Sequence, residues 1–212
     1  MTQPSISKNS ARNRALFALR EALAHLRSDI LIDEKGYTSD FRDTLVPMVL
    51  TEDFEADLSS GDGNELLTKF RAAHSSSGLG VNSFAPFRRC ITDLALQNGD
   101  VFNLLEFERK CPTGLRGGRS PNLDVLLSGP SGVVGVESKL TEYLVRHRAT
   151  FSPAYAEQIR DARRKQGYFH EMQRLMKEPD SYVWLDAAQL IKHAFGLAHT
   201  FPDRPVTLLY LF

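Results

Sequence analysis

Cysteine is scarce in this chain: Cys90 and Cys111 are the only two among 212 residues, and neither sits in a metal-binding spacing. That excludes a disulfide scaffold and a zinc knuckle, and free thiols are the expectation. There is no excess of either charge, since 26 Lys and Arg balance 26 Asp and Glu, so no overall pull toward a polyanion exists. No apolar run approaches the roughly 20 residues needed to span a bilayer. The stretch from Met1 to Lys8 lacks the apolar run of a signal peptide. A cytoplasmic protein without a membrane partner is expected. The glycines of Gly114-Leu-Arg-Gly-Gly-Arg119 are not followed by Gly-Lys-Ser/Thr, which excludes a nucleotide-binding loop. No Ser-His-Asp or Cys-His order stands out, and His193 and His199 lack metallo-hydrolase spacing, so both read as helix-face residues. Internal repeats and low-complexity segments are absent too.

What is present suffices for a packed core: 42% hydrophobic residues in a chain of one-domain length, or of a core with an appendage. Charge is unevenly spread. From Asp29 to Glu65 the only basic residues are Lys35 and Arg42. Basic residues gather later, at Arg109, Lys110, Arg116 and Arg119, then Arg146, His147 and Arg148, then Arg160, Arg163, Arg164 and Lys165. A local basic surface beside an acidic segment suits a polyanionic substrate. Of these, Arg116, Arg119, Arg146, Arg148, Arg163 and Arg164 are the candidate nucleic-acid contacts.

Apolar spacing predicts a helix over Ser10–Ser28 with Ser10 as N-cap, and a short helix at Asp40–Val46. Ser59-Ser-Gly-Asp-Gly63 reads as a linker, so residues 1–62 form an N-terminal helical appendage and 63–212 the core. A helix is expected from Asn64 to Ala73 and a loop at Ser75–Gly80. Cys90–Leu96, which also has a helical reading, and Val101–Glu108 are expected as strands around Asn98-Gly99, a hairpin signal. Helices are expected at Ala154–Lys177 and Leu185–Ala198, and a buried strand at Pro205–Phe212. That strand has no polar tail, which reads as a chain continuing past Phe212. The order predicts an α/β fold of the α+β type, with a central mixed sheet and helices against it.

Two apolar runs carry the chemistry. Asn122-Leu-Asp-Val-Leu-Leu-Ser128 and Gly132-Val-Val-Gly-Val-Glu-Ser-Lys-Leu140 are joined by Gly129-Pro-Ser-Gly132, a turn-forming sequence. A four-residue loop sets Ser128 opposite Val133 and Asp124 opposite Glu137, with Lys139 on the same face. Opposed carboxylates repel; a hard cation between them removes that cost and uses their oxygens as ligands. Two other acidic-x-Lys triplets compete. Asp33-Glu-Lys35 has no strand before it with a partner aspartate and reads as an exposed turn. Glu108-Arg-Lys110 ends a strand whose hairpin partner would carry Asp93, but Lys110 falls at the strand's end. The later hairpin is preferred, with Glu106 or Glu108 placed to add a ligand or charge from the neighbouring strand.

Pro121-Asn-Leu-Asp124 followed by Glu137-Ser-Lys139 resembles the motif of the PD-(D/E)xK nuclease superfamily, with Asp124 displaced from its proline by two residues. The resemblance covers roughly residues 63–212. It implies a restriction-endonuclease-like core: a helix, a three-strand antiparallel meander, a helix and a further strand. It implies a metal-dependent endonuclease, of DNA more than RNA, in restriction or another defence role or in repair. Asp124 and Glu137 would bind Mg²⁺, with Mn²⁺ as a substitute and the Ser138 carbonyl as an extra ligand. Lys139 would hold water or phosphate. Glu65, on the expected first core helix, stands where several branches of the superfamily place a further acid. Gln158 or Gln166 would supply a helix glutamine, and Glu142 reads as surface or support. The resemblance also implies a homodimer, since one site cuts one strand. Two other readings stay open: a non-catalytic nucleic-acid-binding module on the same fold, and an interaction domain whose carboxylates are surface charges.

Overall fold

A computed structural model describes residues 10–60, 64–96, 99, 101–115, 120–157 and 167–212. Helix α1 (Ala11–Leu26) begins where the sequence places it, with Ser10 Oγ accepting from Asn13 N–H at 3.2 Å. Phe41–Thr44 forms a single 3₁₀ turn capped by Asp40, and α2 (Glu55–Ser59) follows. The helix expected from Asn64 is absent: residues 65–68 form turns and Lys69–Arg71 a 3₁₀ turn. The helix appears instead as α3 (Ser76–Phe84), across the stretch expected to be loop. Serine and glycine are weak helix formers, so propensity argues against it. Tertiary burial decides: Val81 and Phe84 are buried against the sheet, and Ser75 Oγ accepts from Gly78 N–H at 3.0 Å as N-cap. Gly80 permits the close approach, because a Cβ there would lie 3.1 Å from Ser138 Oγ.

Cys90–Leu96 is not a strand either. Ile91–Asp93 is a 3₁₀ turn, so Asp93 does not pair beside Glu108. The sheet comprises β1 (Leu104–Lys110), β2 (Asn122–Gly129), β3 (Gly132–Ser138) and, after the helices α4 (Pro153–Glu157), α5 (Gly167–Lys177) and α6 (Ala187–Thr200), β4 (Val206–Leu211). The strands lie in the order β1-β2-β3-β4; the first three are antiparallel and β4 runs parallel to β3. The single helix expected from Ala154 to Lys177 appears as α4 and α5, with 158–166 outside the described residues.

Two apolar clusters cover the sheet. On one side Phe107, Val125, Leu127, Val134 and Val136 pack with Val81 and Phe84. Phe41, Phe54 and Leu58 belong to this same cluster, so residues before position 62 share a core with the sheet. On the other side Leu123, Leu126 and Val133 pack with Leu197 of α6. Gly196 brings α6 onto the chain after β1, where a Cβ would stand 2.3 Å from the Cys111 carbonyl oxygen. A third cluster joins Tyr155, Phe169, Met172, Ile191 and Phe195 of the three later helices.

Candidate active site

Two departures from regular strand geometry fall side by side. Leu123 and Val125 should share a face of the sheet, yet they lie in the clusters on opposite sides. Alternation breaks at Asp124. On β1 the pairing passes from Phe107↔Val125 to Arg109↔Leu123, so Glu108 stands across from Asp124. Glu108 has φ 49°, alone among the described non-glycine residues in the left-handed region. For a residue with a Cβ that conformation costs about 1–2 kcal/mol and persists only where its surroundings enforce it.

On the other side, the β2–β3 ladder runs from Gly129↔Gly132 through Ser128↔Val133 to Val125↔Val136 and stops. One further step would oppose Asp124 and Glu137. Lys139 N–H bonds the Leu211 carbonyl on β4 at 2.8 Å, so strand alternation directs the Ser138 N–H toward β2. There it donates to Asp124 Oδ2 at 2.6 Å, and Ser138 Oγ lies 2.7 Å from the same oxygen. The aspartate carboxylate thus takes the place of a strand carbonyl and ends the ladder. Ser138 Oγ is also 2.8 Å from the Ser76 carbonyl, which ties this junction to α3.

Glu108, Asp124 and Glu137 therefore occupy one row across three strands. They line a cleft of about 450 Å³ whose walls include Glu65, Lys139, Ser76 and Gln189. Burial, with the Glu137 charge beside it, pushes Asp124 up to about 7. Burial and the charges of Asp124, Glu65 and Glu137 push Glu108 up to about 8; its hydrogen bond from Asn122 Nδ2, at 3.4 Å, offsets little of this. For Glu137, burial raises the pKa, but His193 and Lys139 outweigh it and hold the carboxyl below its usual range. Burial opposes the charge on Lys139, and the carboxylates of Glu137, Asp124 and Glu142 overcome that, so it stays a cation.

Glu137 is 2% exposed and engaged on both sides. Lys139 Nζ lies 2.5 Å from Oε1, and His193 Nε2 lies 2.9 Å from Oε2. The second contact is at ion-pair distance but off the line of a hydrogen bond, so both atoms are buried without a directed partner. Sequence reasoning set His193 aside as a helix-face residue. Its signal was a lone polar side chain on the apolar face of α6, and it is 1% exposed.

The other expected residues fall in different places. Glu65 lines the cleft, but from a turn rather than a helix, and accepts from Ser77 Oγ at 2.7 Å. Ser138 is fully buried and holds Asp124. Glu142 lines the cleft and accepts from Ser76 Oγ at 2.6 Å. Glu106 turns away and pairs with Arg109 at 3.2 Å. Arg148 is exposed and paired with Asp180, while the Arg146 guanidinium lies over the Trp184 ring. Arg116, Arg119, Arg163, Arg164, Gln158 and Gln166 lie outside the described residues. Gln189 of α6 lines the cleft.

The donors are hard carboxylate oxygens, the chemistry that suits Mg²⁺ or Mn²⁺. The buried Glu137 Oε2 lacks a directed hydrogen bond, and two neighbouring carboxyls are costly to ionise; a cation answers both. Among the described residues no three His, Cys, Asp or Glu side chains already converge as an ion cage.

A family model described as restriction endonuclease associating with ARP matches residues 17–212. The chain belongs to this restriction endonuclease family. Membership agrees with the mixed sheet flanked by helices and indicates a nuclease-like role. No curated protein and no solved structure matches the chain. Among the described residues no helix is long and apolar enough to cross a membrane.

Proposed function

We propose that the protein is a metal-dependent endonuclease of the PD-(D/E)xK type that hydrolyses phosphodiester bonds of DNA in the cytoplasm, in a restriction or defence role. The observation that carries this reading is the row Glu108–Asp124–Glu137, set at a break in the sheet with Lys139 beside it in one cleft. Asp124 and Glu137 hold Mg²⁺ or Mn²⁺, and Glu108 adds a third carboxylate. A bound divalent ion supplies Lewis acidity at the phosphoryl oxygen and lowers the pKa of water. Lys139, kept cationic by its neighbours, steers the scissile phosphate and balances charge as the leaving oxygen develops. Ser138 fixes the Asp124 carboxylate through two donors, and His193 holds Glu137 from behind. A homodimer cutting both strands extends the proposal; light scattering at the monomer mass in the presence of DNA would count against it.

The test is nicking of supercoiled DNA. Wild type with Mg²⁺ is expected to convert plasmid to open circles. EDTA, Asp124→Ala and Lys139→Ala each abolish conversion. One observation favours a second reading, a binding module without turnover: Lys139 Nζ already stands 2.5 Å from Glu137 Oε1, where an ion would bind. That reading predicts a gel shift by wild type and Asp124→Ala alike, with no cleavage by either.

A further inference from the structure

Trp184 is the only tryptophan in the chain, and it is 56% exposed. Single exposed apolar residues are ordinary, but three features set this one apart. First, the Arg146 guanidinium lies over its ring, 6.0 Å from the centroid. Second, Arg146 has no carboxylate partner among the described residues. Arg148 is paired with Asp180, and Arg174, which lies over Tyr182, is paired with Glu171 and Glu178. Among the described residues, then, the Arg146 guanidinium faces the indole and no carboxylate.

Third, the backbone that carries the pair is bonded to segments that line the carboxylate cleft. His147, next to Arg146, places Nε2 2.9 Å from the carbonyl of Glu142, and Glu142 lines the cleft. The His147 N–H donates to the carbonyl of Val183, next to Trp184, at 2.7 Å. Asp186, two residues further on, caps α6 by accepting from the N–H of Gln189, another cleft residue, at 3.0 Å.

We infer that Trp184 and Arg146 form a stacking platform for an unpaired nucleobase beside the cleft, so that the protein takes single-stranded, frayed or branched nucleic acid in preference to blunt duplex. An indole face accepts any base, and a guanidinium beside it both pairs with the phosphate and extends the stacked surface. In a continuous duplex each base face is covered by its neighbours and unreachable without unstacking. The inference rests on the proposed nuclease reading for the path of the strand, and its test needs no turnover.

Being unique, Trp184 reports its own contacts. Emission of the full chain is followed in EDTA, so that nothing is cleaved, during titration with three probes: a single-stranded oligonucleotide, the same sequence as blunt duplex, and heparin as a base-free polyanion. Only the single strand is expected to quench. Trp184→Ala should weaken single-strand affinity about tenfold or more by anisotropy of a labelled oligonucleotide, and Trp184→Phe should keep most of it. Arg146→Ala should weaken both single strand and heparin. Both positions are exposed, so unchanged far-UV circular dichroism is the folding control. Equal quenching by all three probes, or unaltered single-strand binding by Trp184→Ala, overturns the platform. Single-strand quenching in a protein that never cuts with Mg²⁺ retains the platform and removes the nuclease; Asp124-dependent cutting with an inert Trp184 does the reverse.

Discussion

The row of carboxylates makes a prediction about the metal-free protein that does not depend on catalysis. Glu108 ordinarily ionises near 4.5 and in the fold near 8, because burial and the charges of Asp124, Glu65 and Glu137 oppose its anion. The folded pKa lies above the unfolded one, so between these values the unfolded chain holds fewer protons than the native one. Stability is then fully present below about pH 4.5 and is lost as pH rises through 8. At 1.36 kcal/mol per unit the gap corresponds to roughly 5 kcal/mol for Glu108 taken alone. Water entering an open cleft reduces this, so a loss of about 2–3 kcal/mol is expected, with Asp124 adding its own part on approach to pH 7. Urea unfolding in EDTA, followed by far-UV circular dichroism from pH 5 to 9, measures it. Glu108→Gln keeps the shape of the side chain and removes its charge. It should be the more stable protein at pH 8.5, and its stability should fall less steeply with pH than that of wild type. Identical midpoints for the two proteins across the range would refute the electrostatic account of the row.

Three further outcomes follow from the geometry. His193→Ala removes a buried side chain and leaves Glu137 Oε2 facing a void, and should cost about 1–3 kcal/mol in urea unfolding at pH 7. Gly196→Ala should destabilise the fold by about 1–3 kcal/mol, despite alanine's advantage of about 1 kcal/mol in a helix, because its Cβ meets the Cys111 carbonyl and lifts α6 from the sheet. Mg²⁺ at 100 times its dissociation constant should raise wild-type stability by about 2.7 kcal/mol in a melting or urea experiment, and should leave Asp124→Ala unmoved.

The hairpin of β2 and β3 was legible because turn chemistry and alternation act over neighbouring residues. Gly129-Pro-Ser-Gly132 closes the loop, and Ser128↔Val133 is in the expected register. Ser10 and the leucine spacing likewise announced α1, and the apolar run at the end announced β4, although that strand lies half-exposed at the edge of the sheet rather than buried as expected. The registers that build the site were less legible, because long-range packing imposes them. Helix α3 forms from poor helix formers because Val81 and Phe84 find the sheet and Gly80 lets them approach. Glu65 sits in a turn rather than in the expected helix, and the burial of Leu66 and Phe70 holds that turn against the core. The left-handed backbone at Glu108 has no local cause, since neither glycine nor asparagine stands there. The contact of His193 with Glu137 joins α6 to β3 and leaves no mark in either segment beyond one polar residue on an apolar face.

In the proposed function Asp124 and Glu137 share a divalent ion. Anomalous diffraction from a crystal soaked in Mn²⁺ tests it most directly. A manganese peak is expected between the two carboxylates, bonded to Asp124, beside Lys139 and absent from Asp124→Ala crystals. A saturating soak that leaves the cleft without a peak, or places the ion away from both carboxylates, would contradict it.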